Sequence, residues 1–418
     1  KQVLIVTKAK NQEEITAALI NWQIFELPGL NLEDIVIPIR TLTELPNKLT
    51  IDSMKEELIE SIDKLLAQDD ITDTEYTNIE STIKAFNAVP SDLHHKLNRS
   101  NDLTDHQSSG TYFLVSPVDE TLKFDLDGSS VGKEATKIEK MLMGFHNTMT
   151  PDHPKPILDI AFRDYRVNDG TYVDVIDKEQ FFTVDDFEVA DHHFKGHFDE
   201  FGQFKGTIKV YQEKTYEHIV NWTGNNFNKT SCGPFEISLA YVQGKKNQSL
   251  LSNEDFARVI AKAEKFGGLY VYKDNIRILP YGNSDVDYLD VEKRRSKHAG
   301  LAFFSYRRMF GVINLKQADN FKLKEKAGRE GFIEDKAYRQ FRQILINFFI
   351  QLAADFFRDD ITASPKAEVW ANKRAEIEAS HKALEKQNKR ARAKKERFEK
   401  ALNKFFSDNQ DGLIEQEV

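Results

Sequence analysis

The sequence predicts an α+β fold, a mixed α/β sandwich. Short apolar runs of strand length recur through residues 1–315, and stretches with the apolar spacing of amphipathic helices lie between them. This mixed order of strands and helices is typical of a sheet with helices packed on it. The stretch after residue 365 differs, because it is charged and of low complexity, and it predicts one long C-terminal helix.

Composition excludes several classes of protein. A chain of 418 residues, 40% hydrophobic and 30% charged, is typical of a globular protein with two or three domains. The longest apolar run, residues 344–357, is interrupted by polar residues, so no membrane association is predicted. The single cysteine, Cys232, excludes an internal disulfide and indicates a cytoplasmic protein. The formal net charge of -9 argues against nucleic-acid binding over the whole surface but permits a local basic patch.

The first 150 residues combine strands with amphipathic helices. The sequence begins at Lys1 within a strand pattern and without an initiator Met, so we expect a segment upstream of it. Strands are predicted at Val3–Thr7, Ile15–Phe25, Leu32–Arg40 and, as a buried strand, Gly110–Pro117. Helices are predicted at Met54–Leu66 and Thr77–Asn87. The polar residues 93–109 predict a loop.

Residues 125–145 contain a motif similar to a phosphate-binding loop. Gly128 and Gly132 enclose three residues instead of four, and Glu134 replaces the hydroxyl residue that would hold Mg²⁺. We therefore favour a turn that caps a helix. The capping residues would be Asp127, Ser129 and Ser130. The buried helix face would comprise Ala135, Ile138, Leu142 and Phe145.

Three prolines between residues 151 and 156 predict a domain boundary. Beyond it, single strands are predicted at residues 157–165, 171–177, 234–243 and 310–315. Hairpins are predicted at residues 196–212 and 268–279, and helices at residues 253–265 and 335–357.

The helix predicted at Ala367–Phe406 has two notable patterns. An apolar residue recurs every seven positions, at Trp370, Ile377, Leu384, Ala391, Phe398 and Phe405. Basic residues cluster at Lys389, Arg390, Arg392, Lys394, Lys395 and Arg397. Most of the alternating seam positions are polar, so the pattern is half of a coiled coil. Three interpretations stay open: a solvated helix with a narrow packing stripe, a dimerising helix, or a basic surface for nucleic acid or another partner.

Four segments within residues 267–357 occur in a distinctive order. They are the hairpin YVYKDNIRILPYG, the paired arginines of SYRRMF, the strand GVINL and the helix start REGFIEDKAY. Together they resemble the transducer domain of GHKL ATPases, the superfamily of gyrase B, MutL, MORC proteins and the heat-shock-90 chaperones. The nearest branch is similar to prokaryotic MORC-like or chaperone-like ATP-binding proteins, several of which occur in defence and DNA-processing operons.

The resemblance implies a domain organisation. The segments VLIVTKAK, INWQIFE and SGTYFLVS are similar to the last strands of the ATP-binding sheet. Residues 1–150 would then be the C-terminal edge of that domain with an insertion, residues 155–360 a transducer of the ribosomal-protein-S5-like type, and residues 365–406 a helical tail. The family's Asn-bearing helix, adenine-binding turn and Gly-rich lid are missing from the sequence. ATP and Mg²⁺ would therefore be bound mainly by residues outside this chain.

The implied function is an ATP-dependent conformational switch or clamp, hydrolysing ATP only with an upstream ATP-binding domain. A homodimer acting on DNA or a protein client, in DNA processing or anti-phage defence, fits the same resemblance. The competing hypothesis is a non-catalytic interaction module that binds protein or nucleic acid through the transducer scaffold and the basic tail.

GHKL transducers supply a cation to the γ-phosphate, where negative charge develops during transfer. The favoured candidates are Arg307 and Arg308, and the weaker ones are Arg294, Arg295 and Lys297. The alternative is that these side chains form ion pairs with Asp285, Asp287, Asp290 or Glu292. Arg329 and Glu330 are predicted to form a structural ion pair at a helix start.

A cluster of histidines resembles a metal site in composition but not in spacing. His192, His193 and His197 lie near three carboxylates, but His192 and His197 are five residues apart, which does not fit a zinc-binding helix. We favour exposed side chains at a hairpin turn and predict no metal site. Cys232 has no neighbouring base in the sequence and is predicted to be buried and inert.

Overall fold

The computed structural model describes residues 2–97, 103–105, 107–128, 135–151, 153–156, 158, 160–168, 171–176, 180–297, 302–328, 330–358 and 364–414. The predicted α+β class is confirmed, since helices and several sheets occur in mixed order along the chain. The chain divides into two compact units, residues 1–127 and 128–418. The domain boundaries that the resemblance implies stay a prediction.

The first unit contains a four-stranded antiparallel sheet. Its strands are β1 (Gln2–Lys8), β2 (Ile15–Asn21), β3 (Ile39–Leu42) and β4 (Gly110–Val115). Their spatial order is β3-β2-β1-β4, with Val3 opposite both Ile20 and Val115. Every second side chain of β1 and β2 is buried, as expected for a sheet that packs helices on one face.

The helices of this unit supply the other half of its core. They are α1 (Trp22–Phe25), α2 (Lys48–Ala67), α3 (Asp73–Ala85), α4 (Pro90–Leu97) and α5 (Glu120–Asp127). On α2, Met54 and Leu58 lie one turn apart on the same face and are fully buried. They share one apolar cluster with Leu4 and Leu19 of the sheet.

Four sequence predictions for the first unit need correction. The strand predicted to Phe25 ends at Asn21, because the Asn21 side chain accepts a hydrogen bond from the Gln23 amide at 2.9 Å and begins α1. Residues 32–34 form a 3-10 turn before β3. Part of the predicted loop after residue 93 belongs to α4. The predicted buried strand β4 lies at the sheet edge, and Leu114 alone among its residues is buried.

The second unit is organised around a seven-stranded sheet. Its strands are β7 (His192–Phe198), β8 (Phe204–Val210), β9 (Lys214–Val220), β10 (Phe235–Tyr241), β11 (Gly268–Lys273), β12 (Ile276–Arg277) and β13 (Met309–Leu315). They lie in the order β12-β11-β13-β10-β7-β8-β9. The β11–β13 pair is parallel and the other pairs are antiparallel. A separate hairpin comprises β5 (Arg163–Asn168) and β6 (Thr171–Asp174).

Helices cover both faces of the large sheet. The helices are α6 (Lys137–Leu142), α7 (Val184–Val189), α8 (Asn253–Phe266), α9 (Val291–Lys297) and α10 (Lys336–Phe356). Ile313 of β13 belongs to the apolar cluster that contains α10, whereas its neighbour Val312 belongs to the cluster that contains α8. Because successive strand residues point to opposite faces, α8 and α10 pack on opposite sides of the sheet.

The predicted cap of α6 was wrong. Thr136 caps this helix, since its Oγ1 accepts from the Glu139 amide at 3.2 Å while the Glu139 carboxylate accepts from the Thr136 amide at 2.6 Å. This reciprocal pair is a capping box. Residues 129–134, which include most of the loop-like motif and the predicted caps Ser129 and Ser130, lie outside the described residues.

The C-terminal helix α11 (Pro365–Ile414) is packed at its start and exposed beyond it. Trp370 and Ile377 are 3% and 7% exposed and join the main core, whereas Leu384 and Phe398 are 53% and 67% exposed. From Lys382 to Ser407 every side chain is exposed. In the part of the chain that the structure describes, no helix has the length and apolar character needed to cross a membrane.

Candidate functional site

Arg307 and Arg308 lie on a short 3-10 turn, Tyr306–Arg308, directly before β13. The turn is fixed at both sides, because Tyr306 and Met309 are fully buried. The Arg308 amide donates to the Ser305 carbonyl at 3.1 Å, and the Arg308 carbonyl accepts from the Val242 amide at 3.0 Å. Arg307 is exposed and Arg308 is half-buried, so a rigid backbone presents both side chains to solvent.

Both arginines line one cavity of about 590 Å³. The other lining residues are Gly244, Ile260, Glu264, Glu292 and Ser305. Gly244 follows β10 and approaches Arg308 so closely that a Cβ at residue 244 would overlap the guanidinium group. A glycine is therefore required for this position of Arg308.

The four carboxylates proposed as alternative partners all bind other groups, although the negative charges of Asp287 and Asp290 also act on Arg294. Asp285 pairs with Lys140, with 3.4 Å between Oδ2 and Nζ. Asp287 accepts from the amides of residues 291 and 292, both at 2.8 Å, and Asp290 pairs with Arg342. Within the described residues, no ion pair joins any of these carboxylates to the five basic candidates.

Glu292 has a structural part in the cavity. Its Oε1 accepts from the Ser305 hydroxyl at 2.6 Å and from the Tyr306 amide at 2.7 Å. These two bonds tie α9 to the arginine-bearing turn. Glu292 thus holds the backbone that positions Arg307 and Arg308, and a charged acceptor makes such bonds stronger than neutral ones.

Arg295 and Arg308 lie near the same phenol. The Tyr241 hydroxyl donates to the Phe303 carbonyl at 3.2 Å. Burial raises the pKa of Tyr241, and the positive charges of Arg308 and Arg295 oppose this rise. Two of the predicted cations are therefore close enough to act on one group.

The remaining two weaker candidates, Arg294 and Lys297, do not line the cavity that contains Arg307 and Arg308. Arg294 donates from Nη1 to the Leu289 carbonyl at 2.5 Å, and burial lowers its pKa. It lines a separate apolar cavity of about 210 Å³ together with Arg358. Lys297 is exposed at the end of α9. Arg329 lies outside the described residues, so the predicted Arg329–Glu330 pair is not described either.

The basic cluster predicted near the end of the chain lies on α11, and none of its residues lines this cavity. Lys389, Arg390, Arg392, Lys394, Lys395 and Arg397 are all exposed. Lys395 forms an exposed ion pair with Glu399 at 3.8 Å, a distance at which little stabilisation is expected.

The histidine cluster does not have the predicted arrangement. His192 is fully buried in β7 instead of exposed on a turn, and its Nδ1 accepts from the Tyr211 amide at 3.1 Å. His193 is half-buried and His197 is exposed. Among the described residues, no group of three or more His, Cys, Asp or Glu side chains is placed to hold a metal ion. Cys232 is buried as predicted, and burial raises the pKa of its thiol to about 11.

Sequence reasoning missed Gly244 and Glu264, which line the cavity, and Tyr241, which lies near two of the arginines. Gly244 had a usable signal, since an isolated glycine after a strand often marks a close backbone approach. Glu264 and Tyr241 had none, because ordinary helix and strand positions carry no information about a distant cavity. No protein-family model matches this chain, and no curated protein matches it.

Proposed function

We propose that this chain is the phosphate-sensing arm of an ATP-dependent conformational switch. Arg308, assisted by Arg307, would contact the terminal phosphate of a nucleotide held mainly by residues outside the chain. The observation that supports this most is the pair of arginines on one solvent-accessible cavity. Among the described residues, neither of the carboxylates that line it, Glu264 and Glu292, forms an ion pair with either arginine. Guanidinium groups suit phosphate oxygens because their planar donors can bind two oxygens at once.

The rigidity of the turn supports the same role. A cation stabilises charge developing in a transition state only when it is already in position. The bonds from Ser305 and Tyr306 to Glu292, and the bond from Val242 to the Arg308 carbonyl, hold the turn against α9 and β10. A phosphate bound by Arg308 would thereby be linked to the large sheet, as a conformational switch requires.

The wider proposal rests on the resemblance. In it, the switch is a cytoplasmic homodimer of the GHKL type, with a transducer of the ribosomal-protein-S5-like type, that acts in DNA processing or antiviral defence. Hydrolysis of ATP depends on an ATP-binding domain outside this chain. We assign no part of Mg²⁺ binding to the described residues, because they contain no cluster of ligands suited to a metal ion.

The test is ATP turnover by the protein as its gene encodes it. We expect Arg308→Ala to lower kcat by about 100-fold or more, the usual cost of losing one preorganised donor to a developing charge. Arg308→Lys keeps the charge without the planar fork and should recover part of the rate. Arg339→Ala, which removes an exposed arginine of α10, is the matched control and should have wild-type turnover.

Two results would overturn the proposal. Turnover that survives both Arg307→Ala and Arg308→Ala would exclude a phosphate contact by this turn. A gene product with neither ATP binding nor turnover would exclude the switch and leave the competing hypothesis, the interaction module.

A further inference from the structure

The exposed half of α11 carries a charge opposite to that of the whole protein. The 26 residues from Lys382 to Ser407 include ten Lys or Arg and three Glu, a formal charge of +7, in a chain of net charge -9. Every one of these side chains is exposed. A concentration of positive charge along one helix produces a strong local field even when the whole protein is acidic.

These charges are arranged in longitudinal stripes. With 3.6 residues per turn, eight of the ten basic side chains lie on about 140° of the helix circumference, among them Lys386, Lys389, Arg390, Lys394 and Arg397. Arg392 and Lys395 lie outside this basic stripe. The glutamates form an acidic stripe on another side, at Glu385, Glu396 and Glu399. The apolar residues of the seven-residue repeat separate the two on one side; on the other side the two stripes adjoin, with Glu396 about 20° from Lys389.

We infer that the basic stripe binds the phosphate backbone of double-stranded DNA. The stripe runs from Lys382 to Lys404, about 33 Å at 1.5 Å per residue. One turn of a DNA duplex is about 34 Å long, so the stripe is long enough to lie along one side of the duplex and contact phosphates on both sides of a groove. The carboxylates lie beside this face and not on it, so an approaching polyanion meets mainly lysine and arginine side chains.

The same stripes disfavour two other partners, an anionic lipid surface and a second copy of the helix. Placing the apolar stripe against an anionic lipid surface would turn Lys382, Lys389 and Lys400 to the opposite side of the helix, away from the headgroups. Pairing with a second copy of the helix would bring two charges of +7 together, and the seam positions Asn388 and Lys395 are polar. A DNA backbone is the partner whose charge complements the basic stripe.

The test is the anisotropy of a labelled duplex of about 25 base pairs with the full chain, over about 50 to 200 mM salt. We compare the wild type with a variant that carries Lys389→Gln, Arg390→Gln, Lys394→Gln and Arg397→Gln. Its matched control makes the same charge change at exposed positions elsewhere. The control carries Lys322→Gln, Lys324→Gln, Lys336→Gln and Arg339→Gln. Helix content by circular dichroism verifies that both variants are folded.

The stripe variant should lose at least about tenfold in affinity, and its slope of log K against log salt should become shallower by about 3 to 4. The control variant should retain both values. Equal losses in the two variants would overturn the inference in favour of net charge alone. Binding to anionic vesicles without binding to the duplex, or helix-dependent dimerisation without duplex binding, would overturn it too. Because no ATP is used, either outcome leaves the proposed Arg308 contact untouched.

Discussion

The Arg308 guanidinium occupies the space that a side chain at Gly244 would need. The overlapping atoms belong to the flexible end of the arginine, so a methyl group at residue 244 displaces Arg308 and leaves the backbone in place. This contact links the end of β10 to the turn before β13, two segments far apart in sequence. A substitution at residue 244 can therefore move the Arg308 side chain while residue 308 stays an arginine.

Gly244→Ala should therefore reproduce the defect of Arg308→Ala in ATP turnover of the gene product. We expect its unfolding free energy to stay within about 1 kcal/mol of the wild type, a typical value for a small surface change. The double variant should be no slower than Arg308→Ala, since both changes remove one interaction. Gly328→Ala is the control, because its Cβ meets nothing closer than 3.8 Å. Normal turnover in Gly244→Ala alongside a slow Arg308→Ala would contradict this reasoning.

Asp191 should make the protein less stable as pH rises, which is the opposite of the usual effect of a carboxylate. Its buried carboxylate accepts from the Gln243 and Leu250 amides, both at 2.8 Å, and from the Ser249 hydroxyl at 3.1 Å. Burial raises the pKa of Asp191 to about 6, although these hydrogen bonds oppose the rise. Between about pH 4 and pH 6 the folded protein keeps a proton that the unfolded chain has lost.

The contribution of Asp191 to the free energy of unfolding thus falls as pH rises from about 4 to 6, by at most about 1.4 kcal/mol per pH unit. The destabilisation caused by Asp191→Asn should accordingly be larger near pH 4 than near pH 7. Urea denaturation of both proteins across this range measures the difference. A cost that is constant, or that grows with pH, would contradict the raised pKa.

The apolar residues of the seven-residue repeat along α11 should contribute unequally to the free energy of unfolding. Trp370 is 3% exposed, with its ring centroid 5.5 Å from that of Phe303 and 5.8 Å from that of Phe357. Trp370→Ala should lower the unfolding free energy by about 3 kcal/mol through lost packing. Phe398→Ala removes an aromatic at the same repeat position that is 67% exposed, and its effect should be within about 0.5 kcal/mol. Urea denaturation followed by circular dichroism measures both, and equal costs would show that the exposed half packs in solution.

Local patterns predicted much of the second unit. The hairpin around residues 199–203, the strands β10 and β13, and the helices α8 and α10 follow from apolar periodicity and turn residues alone. Errors occurred where tertiary context decides. His192 is a polar residue that the sheet buries, and β4 is an apolar strand that lies at a sheet edge. In neither case does the local sequence distinguish the observed location from the predicted one.

The candidate site divides in the same way. The sequence favours Arg307 and Arg308 because they border a strand, and in the structure both line a common cavity. Whether neighbouring carboxylates neutralise them depends on which partners those carboxylates meet. Lys140 and Arg342, which bind Asp285 and Asp290, are distant in sequence, so only the fold could reveal these pairs.

The division of α11 into a packed start and an exposed remainder gives the helix the geometry of a lever. Trp370 and Ile377 fix its base to the second unit, and the exposed 26 residues extend for about 39 Å at 1.5 Å per residue. A rotation of about 10° at the base would move the far end by about 7 Å, roughly the length of one helical turn and a third. A sub-ångström rearrangement around Trp370 would therefore displace the far end of the helix far enough to engage or release a bound molecule.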